Sequence, residues 1–256
     1  MNILVLGDVV GKQGCEFVRS KLSSFKRLKG IDVCIANGEN SAAGNGITPE
    51  SAQYLFDCGV DFLTTGNHVY KRREIFDFLD ERDDIIRPAN FHYSNPGKGR
   101  SIIDLGRTRI EVINLSGNFS MECYSNAFLC ADELLGQNSN IKIKIVDFHA
   151  EATSEKKALG YYLDGRVSVV FGTHTHVQTA DEQILPNGTG YITDVGMCGP
   201  IDSVLGVDKD IIIKKMCDNM PSRFETANGP CMINGCIFEI DENTGKTLGV
   251  ERVNIC

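Results

Sequence analysis

Short apolar runs alternate with amphipathic segments through the first eighty residues of the chain. Branched apolar residues form three runs that are typical of buried strands, at residues 2–6, 31–36 and 61–65. Apolar residues recur at helical spacing in three further segments, at residues 14–28, 48–58 and 72–81. Thr48 and Pro49 mark the start of the second helix as N-cap and first helical residue, and Gly59 marks its end. This alternation predicts right-handed crossovers and a parallel sheet.

The pattern changes in the middle of the chain. Shorter strands with hairpin-type connections are predicted at residues 85–86, 101–105 and 109–115. Elements of both kinds follow, with strands predicted over residues 141–148 and 169–172, near 187–188 and on both sides of 241–245, and helices over 153–163 and near 209–216. The whole pattern predicts an α/β fold of two packed mixed β-sheets flanked by helices, in a single domain over residues 1–256.

Polar side chains that can bind a metal follow five of the predicted strands. They are Asp8, Glu39 with Asn40, Asn67 with His68, His149, and His174 with His176. In open α/β sheets the ligand crevice lies outside the carboxyl ends of the strands, so we expect five chain segments to bring these side chains together. Four of the five histidines belong to this set, and only His92 lies outside it.

Each of these residues also has an ordinary structural interpretation. Asp8 could form a turn or cap a helix, and Glu39 with Asn40 could be solvated turn residues. Asn67 could adopt a left-handed turn, and His149 could be a hydrogen-bonded core histidine. All of these interpretations would have to hold at once, which makes a shared site the better hypothesis.

His174 and His176 follow an apolar run that ends at Gly172. Residues at i and i+2 share one face of an extended backbone, so both imidazoles are first expected to turn toward one point. The alternative is a pair of polar residues in a surface loop. Neutral imidazole is the commonest metal ligand, and this favours the site.

Composition, charge and cysteine pattern limit the functions and cellular locations that we expect for the chain. The 256 residues carry a formal net charge of −8, which argues against a broad nucleic-acid surface but allows a small metal-lined phosphate cleft. The apolar start is too short for a signal peptide, and no stretch approaches the ~20 apolar residues of a membrane span, so we predict a cytoplasmic protein. Ten cysteines without a Cys-x-x-Cys pair are predicted to be reduced, most of them as core residues.

The candidate donors are carboxylates, amides and imidazoles, without a thiolate. This chemistry suits iron, manganese or zinc better than copper(I). Seven side chains are candidate ligands, namely Asp8, Glu39, Asn40, Asn67, His149, His174 and His176. Seven donors exceed the needs of one ion, so we predict two metals that share a bridging carboxylate, for which Glu39 has one oxygen to offer each ion.

Five blocks of the chain resemble, in order, the motifs of the calcineurin-like metallophosphoesterases, and the YmdB-like bacterial branch matches best. The blocks are Gly7-Asp8, Asn37-Gly38-Glu39-Asn40, Gly66-Asn67-His68, His149 and Gly172-Thr173-His174-Thr175-His176. The likeness covers essentially the whole chain, including residues 193–200. It implies a four-layer α/β sandwich and two divalent or mixed-valence transition-metal ions, with iron preferred over manganese or zinc.

The resemblance also implies how the ligands are shared. Metal one would take Asp8, Glu39, Asn40 and His176, and metal two would take Glu39, Asn67, His149 and His174. The chain departs from the wider superfamily at Val10, where a histidine is usual, and at Glu39, where an aspartate is usual. Asn40 replaces the missing histidine ligand in the YmdB-like branch.

The predicted activity is hydrolysis of cyclic nucleotides or related phosphodiesters by a hydroxide that bridges the two ions. His68 is the predicted general acid for the leaving alkoxide, and its alternative role is hydrogen-bonding support. Two other functions stay open: a phosphomonoesterase or RNase of the same superfamily, and a regulatory protein that binds metal and nucleotide with little turnover, which the Val10 departure favours.

We expect a small phosphodiester partner, for which a cyclic nucleotide is a candidate, and a homo-oligomer. Contact with a membrane is not expected, and contact with RNA is not indicated by the net charge. Residues 117–124 and 194–200 are predicted to line either the substrate pocket or a subunit interface.

Overall fold

The computed structural model describes residues 1–137 and 140–256. Its helices are α1 (Gly11–Lys29), α2 (Pro49–Asp57), α3 (Ile75–Glu81), α4 (Ala127–Gly136), α5 (Thr153–Leu163) and α6 (Lys209–Asp218), with a short 3-10 helix at Val69–Lys71. Its strands are β1 (Asn2–Val9), β2 (Val33–Asn37), β3 (Phe62–Thr64), β4 (Arg100–Asp104), β5 (Arg109–Ser116), β6 (Ile143–His149), β7 (Val169–Thr173), β8 (Gln183–Ile184), β9 (Gly190–Ile192), β10 (Met197–Pro200), β11 (Cys231–Ile240) and β12 (Thr247–Ile255).

Two six-stranded mixed sheets form the centre of the described part of the chain. The first has the order β12-β11-β10-β1-β2-β3 and the second the order β4-β5-β6-β7-β9-β8. Strands β1, β2 and β3 pair in parallel, as predicted. Strands β4 and β5 pair antiparallel, as do β11 and β12, which confirms both predicted hairpins. The predicted fold class, two packed mixed sheets flanked by helices, is therefore confirmed.

Alternating side chains of the sheets build the layers. Along β1, Ile3 and Val5 lie in the core between the two sheets, whereas Leu4 and Leu6 lie in the core shared with α1, α2 and α3. Successive side chains of a strand point to opposite faces, so one strand serves both cores. In the second sheet, Phe148 packs in a third core with residues of α4 and α5. The result is a helix, sheet, sheet, helix arrangement.

Most element boundaries match the sequence pattern, and α2 shows why. The Thr48 side chain accepts a hydrogen bond from the Ser51 N–H, Pro49 is the first helical residue, and Cys58 ends the helix. Some predictions were wrong. Residues 85–86 contribute only an isolated bridge from Ile85 to Leu63. The first helix begins three residues earlier than predicted, at Gly11, and the third begins three residues later than predicted, at Ile75.

The pattern missed helix α4. Its N-cap is Asn126, whose side chain accepts hydrogen bonds from the Phe128 and Leu129 N–H groups. Asparagine before an apolar run is a standard helix start, so this signal was present in the sequence. The polar, aromatic stretch before it obscured the boundary.

Residues 194–200, predicted to line either the substrate pocket or a subunit interface, do not lie at the surface. They are buried, and β10 lies between β1 and β11 in the first sheet. Glycine permits this packing, because a Cβ at Gly7 would lie 2.0 Å from the Gly196 carbonyl oxygen. A strand so rich in small residues lacks the apolar alternation by which sequence analysis recognises strands.

No helix in the two described ranges is long and apolar enough to cross a bilayer. All ten cysteines are free. Cys34, Cys58, Cys231 and Cys236 are buried, which confirms their predicted place in the core.

Candidate metal centre

The candidate site lies where strands from both sheets end. Asp8 lies near the end of β1 and His149 is the last residue of β6, while Glu39, Asn67 and His174 follow β2, β3 and β7. The expected convergence is present: contacts of 3.3 Å or less join all seven candidate ligands and His68 into one connected cluster. Asp8 differs from expectation in one respect, since β1 continues to Val9 with a register irregularity between Leu6 and Asp8.

Glu39 lies at the middle of the cluster and is fully buried. Its Oε1 is 3.2 Å from His149 Nε2 and 3.3 Å from His68 Nδ1, and its Oε2 accepts the His68 N–H at 2.8 Å. Burial opposes ionisation, but the charge of His149 and its hydrogen bond to Glu39 outweigh it and hold the pKa of Glu39 well below its usual range. A buried carboxylate therefore sits between several imidazoles.

One side of Glu39 is formed by His149, His174 and Asn67. His149 Nε2 is 3.1 Å from His174 Nδ1 and 2.9 Å from Asn67 Oδ1. The donor atoms of Glu39, His149 and His174 all lie within 4.8 Å of one another. Burial and the neighbouring charge of His149 lower the pKa of His174, so its imidazole is disposed to be neutral, the form that binds metal.

The other side of Glu39 is formed by Asp8, Asn40 and His176. Asn40 Nδ2 lies 3.3 Å from Asp8 Oδ1 and 3.2 Å from His176 Nε2. Burial alone would lower the pKa of His176, but the Asp8 charge and hydrogen bond raise it to about 9. The same pair keeps the pKa of Asp8 below its usual value despite burial. The Asp8 and Glu39 carboxylates therefore favour positive charge at this site.

The two histidines of the turn after β7 do not share one face of an extended strand. His174 has φ +100° and His176 has φ +62°, both in the left-handed region. His174 contacts His149 and His176 contacts Asp8 and Asn40, so the two imidazoles serve opposite sides of Glu39. The first expectation of a shared point was wrong because it assumed extended backbone through the turn.

A buried chain of hydrogen bonds that sequence analysis missed supports His149. Thr173 Oγ1 donates to Asp147 Oδ1 at 2.7 Å and lies 2.9 Å from His149 Nδ1. A hydroxyl has one proton, so Thr173 must accept from His149 Nδ1, which leaves Nε2 to face the cluster. Burial raises the pKa of Asp147 to about 7. The only feature of the sequence that indicates a role for Asp147 is the presence of a carboxylate inside an apolar strand.

A buried ion pair, also missed, anchors the turn that carries His174 and His176. Lys156 Nζ lies 2.6 Å from Asp194 Oδ2 and donates to the Thr173 carbonyl at 2.7 Å. Asp194 Oδ2 accepts both the N–H and the hydroxyl of Thr175, at 3.1 and 2.7 Å. Lysine in an amphipathic helix resembles a surface residue, so no local pattern distinguishes Lys156.

Gly66 leaves space for the His149 ring. A Cβ at Gly66 would lie 2.2 Å from His149 Cδ2 and Nε2, and His149 is fully buried. Gly66→Ala is therefore expected to lower the free energy of unfolding by about 1–3 kcal/mol through overpacking, measured by urea denaturation. Gly136→Ala is the matched control, because a Cβ there meets nothing within 4 Å. Equal stability of the two variants would contradict the prediction.

Known proteins resemble this chain in sequence and in fold. The family model described as YmdB-like protein matches residues 4–253. A 2′,3′-cyclic-nucleotide 2′-phosphodiesterase of Bacillus subtilis (strain 168) is 46% identical over 256 residues, which cover 100% of this chain and 97% of the relative.

Two solved structures resemble this chain, one at high and one at low sequence identity. A structure from Mycoplasma pneumoniae described as a novel phosphatase is 35% identical, with a TM-score of 0.94, and covers 100% of this chain and 93% of its own. The NAD nucleotidase of Haemophilus influenzae is 12% identical with a TM-score of 0.61, over 99% of this chain and 55% of its own. At that identity the second likeness concerns the fold alone.

Proposed function

The chain belongs to the YmdB-like family, and from this premise we propose that it is a dinuclear metal-dependent phosphodiesterase acting on cyclic nucleotides or related phosphodiesters. The names of its relatives support the broader class, a phosphoesterase. The observation that carries the proposal is the buried carboxylate of Glu39 with imidazole nitrogens on one side and a second carboxylate, amide and imidazole on the other.

The donor set fits two first-row transition-metal ions. Glu39 contacts members of both groups, with Oε1 3.2 Å from His149 Nε2 and 3.3 Å from Asn40 Nδ2, which supports a bridging role. Metal one would be held by Asp8, Glu39, Asn40 and His176, and metal two by Glu39, Asn67, His149 and His174. Nitrogen and oxygen donors without thiolate suit iron, with manganese or zinc as alternatives. When bound, such ions lower the pKa of water and offset the charge of phosphoryl oxygens.

The Val10 departure is compatible with this donor set. The Val10 side chain packs at the positions where Cβ atoms of Gly199 and Gly206 would lie, so it belongs to the local apolar packing. Asn40 Nδ2 contacts Asp8, Glu39 and His176, and Asn40 Oδ1, which lies 2.9 Å from His68 Nδ1, is the oxygen that the side chain would offer in place of the absent histidine. These contacts place Asn40 among the donors proposed for metal one.

The side chains around the cluster have distinct tasks. His68 is part-exposed and its Nδ1 is directed at Asn40 and Glu39. Its Nε2 lies on the outer side of the ring, 3.4 Å from the Nδ2 of the exposed Asn45, and a leaving oxygen would replace that contact. Thr173 and Asp147 hold the His149 ring, and the Asp8 carboxylate accepts the His174 N–H at 3.0 Å. The chain therefore positions donors from buried groups and presents its proton donor at the open face.

Metal removal tests the proposal. Purified protein should hold close to two transition-metal ions per chain, and stripping them with a chelator should abolish hydrolysis of 2′,3′-cyclic nucleotides, with recovery on adding Fe²⁺ or Mn²⁺. A panel of 2′,3′- and 3′,5′-cyclic nucleotides, short RNA and phosphomonoesters identifies the preferred substrate. Full activity of metal-free protein would overturn the proposal, and tight nucleotide binding without turnover would favour the regulatory alternative.

A cytoplasmic location, a homo-oligomer and a single domain over residues 1–256 stay predictions from the sequence.

A further inference from the structure

A cavity of about 570 Å³ lies beside the candidate metal centre. Two of the candidate ligands, Asn67 and His174, form its end nearest the centre. Its walls come from Phe91, His92, Asn95 and residues 120–124, and Tyr70 also lines it. The volume falls in the range of small-molecule sites, about 300–1,000 Å³. A substrate phosphate at the centre would therefore leave room here for the rest of its molecule.

Aromatic rings are concentrated at this cavity. The His92 ring lies 4.3 Å from the Tyr93 ring in a stacked arrangement and 4.5 Å from the Tyr124 ring edge to face. Tyr124 is 64% exposed although it lines the cavity, so a large part of its ring is free for a ligand. His92 is the one histidine outside the candidate metal centre, and its ring packs against these two tyrosine rings.

The two walls are tied together at their base. Asn90 Nδ2 donates to the carbonyls of Ser116 and Ser125 at 2.8 and 3.1 Å, and the Tyr124 N–H donates to the Asn90 carbonyl at 3.0 Å. Tyr70 Oη is also fixed, by donating to the Pro96 carbonyl at 2.7 Å. The cavity is thus largely formed before a ligand arrives, which reduces the entropy lost on binding.

We propose that this cavity binds the nucleobase of the substrate, which stacks on Tyr124 while the phosphate lies at Asn67 and His174. The inference rests on the proposed function and adds a site for the base. Every base has an apolar face that stacks on aromatic rings and a polar edge that forms hydrogen bonds. The cavity offers both partners, since Asn95, Glu122 and Lys71 line it beside the aromatic residues.

The test compares a substrate with a base and a substrate without one. For Tyr124→Ala we expect KM for adenosine 2′,3′-cyclic phosphate to rise about 5- to 20-fold, at the lower end of the range for base stacking because Tyr124 is part-exposed. KM for 1-O-methylribose 2′,3′-cyclic phosphate, which lacks the base, should change less than 2-fold. Tyr124→Phe, which keeps the ring, should restore the wild-type KM. Tyr161→Ala, another exposed tyrosine outside the cavity, is the matched control.

Equal effects of Tyr124→Ala on both substrates would overturn the inference and leave the phosphodiesterase intact. If wild-type protein hydrolyses neither substrate, the proposed function fails, and equilibrium dialysis with adenosine still tests the cavity. Binding weakened by Tyr124→Ala supports the inference, and unchanged or absent binding overturns it.

A free nucleotide and the end of an RNA present the same base. An oligonucleotide ending in a 2′,3′-cyclic phosphate, assayed in parallel, identifies the source by the larger kcat/KM.

Discussion

Replacing His68 with alanine is expected to lower kcat for a phosphodiester with an alkoxide leaving group by about 10²–10⁴-fold, the usual contribution of a general acid. Both metal ions should stay bound, because none of the proposed ligand sets includes His68. The His68 side chain is 25% exposed at the open face of the cluster, whereas Glu39 and His149 are fully buried. This exposure lets its imidazole reach a leaving oxygen. Steady-state kinetics together with metal analysis of the same preparation checks both parts.

The leaving group distinguishes a proton donor from hydrogen-bonding support. His68 Nδ1 lies 2.9 Å from Asn40 Oδ1 and 3.3 Å from Glu39 Oε1, so its loss could also disturb two proposed ligands. A 4-nitrophenolate leaving group needs little protonation, and with it His68→Ala should lose less than about 10-fold if His68 is the acid. Equal losses for the two leaving groups, or a fall in bound metal, would assign His68 a supporting role instead.

Lys156→Met is expected to lower the free energy of unfolding by about 3–5 kcal/mol, since it leaves the buried Asp194 carboxylate without its cation. Lys156 and Asp194 are each 1% exposed and lie 2.6 Å apart. The methionine side chain has similar length and no charge, so the change removes the ion pair and the hydrogen bond to the Thr173 carbonyl while it keeps most of the packing. Urea denaturation, followed by far-UV circular dichroism, measures the loss.

The next residue along the helix provides the control. Lys157 pairs with Asp181 at 3.3 Å, but these side chains are 45% and 26% exposed, so Lys157→Met should cost about 0–1 kcal/mol. Adding Asp194→Asn to Lys156→Met should recover part of the loss, because the uncompensated charge is removed. Equal destabilisation by the two single lysine variants would show that burial of the pair does not matter here.

The sequence predicted the site well because the relevant signals are local. A branched apolar run followed by a polar residue identifies a strand end, and parallel strand ends meet at one edge of a sheet. The sequence pattern alone therefore places Asp8, Glu39 and His149 together, and their contacts agree. Strand β10 was missed because its small residues give no such signal. Helix α4 was missed although Asn126 marks its start, because a polar, aromatic stretch precedes it.

The sequence by itself determined most of the strands and helices, the two-sheet class and which side chains converge at the candidate centre, since each follows from residue type and spacing within a short segment. Only the tertiary structure decided that the backbone at His174 and His176 is left-handed, that Lys156 is buried against Asp194, and that a cavity opens beside the centre. The physical reason is distance along the chain. Left-handed turns, buried ion pairs and cavities depend on which remote segments pack together, and local patterns of polarity carry no record of those partners.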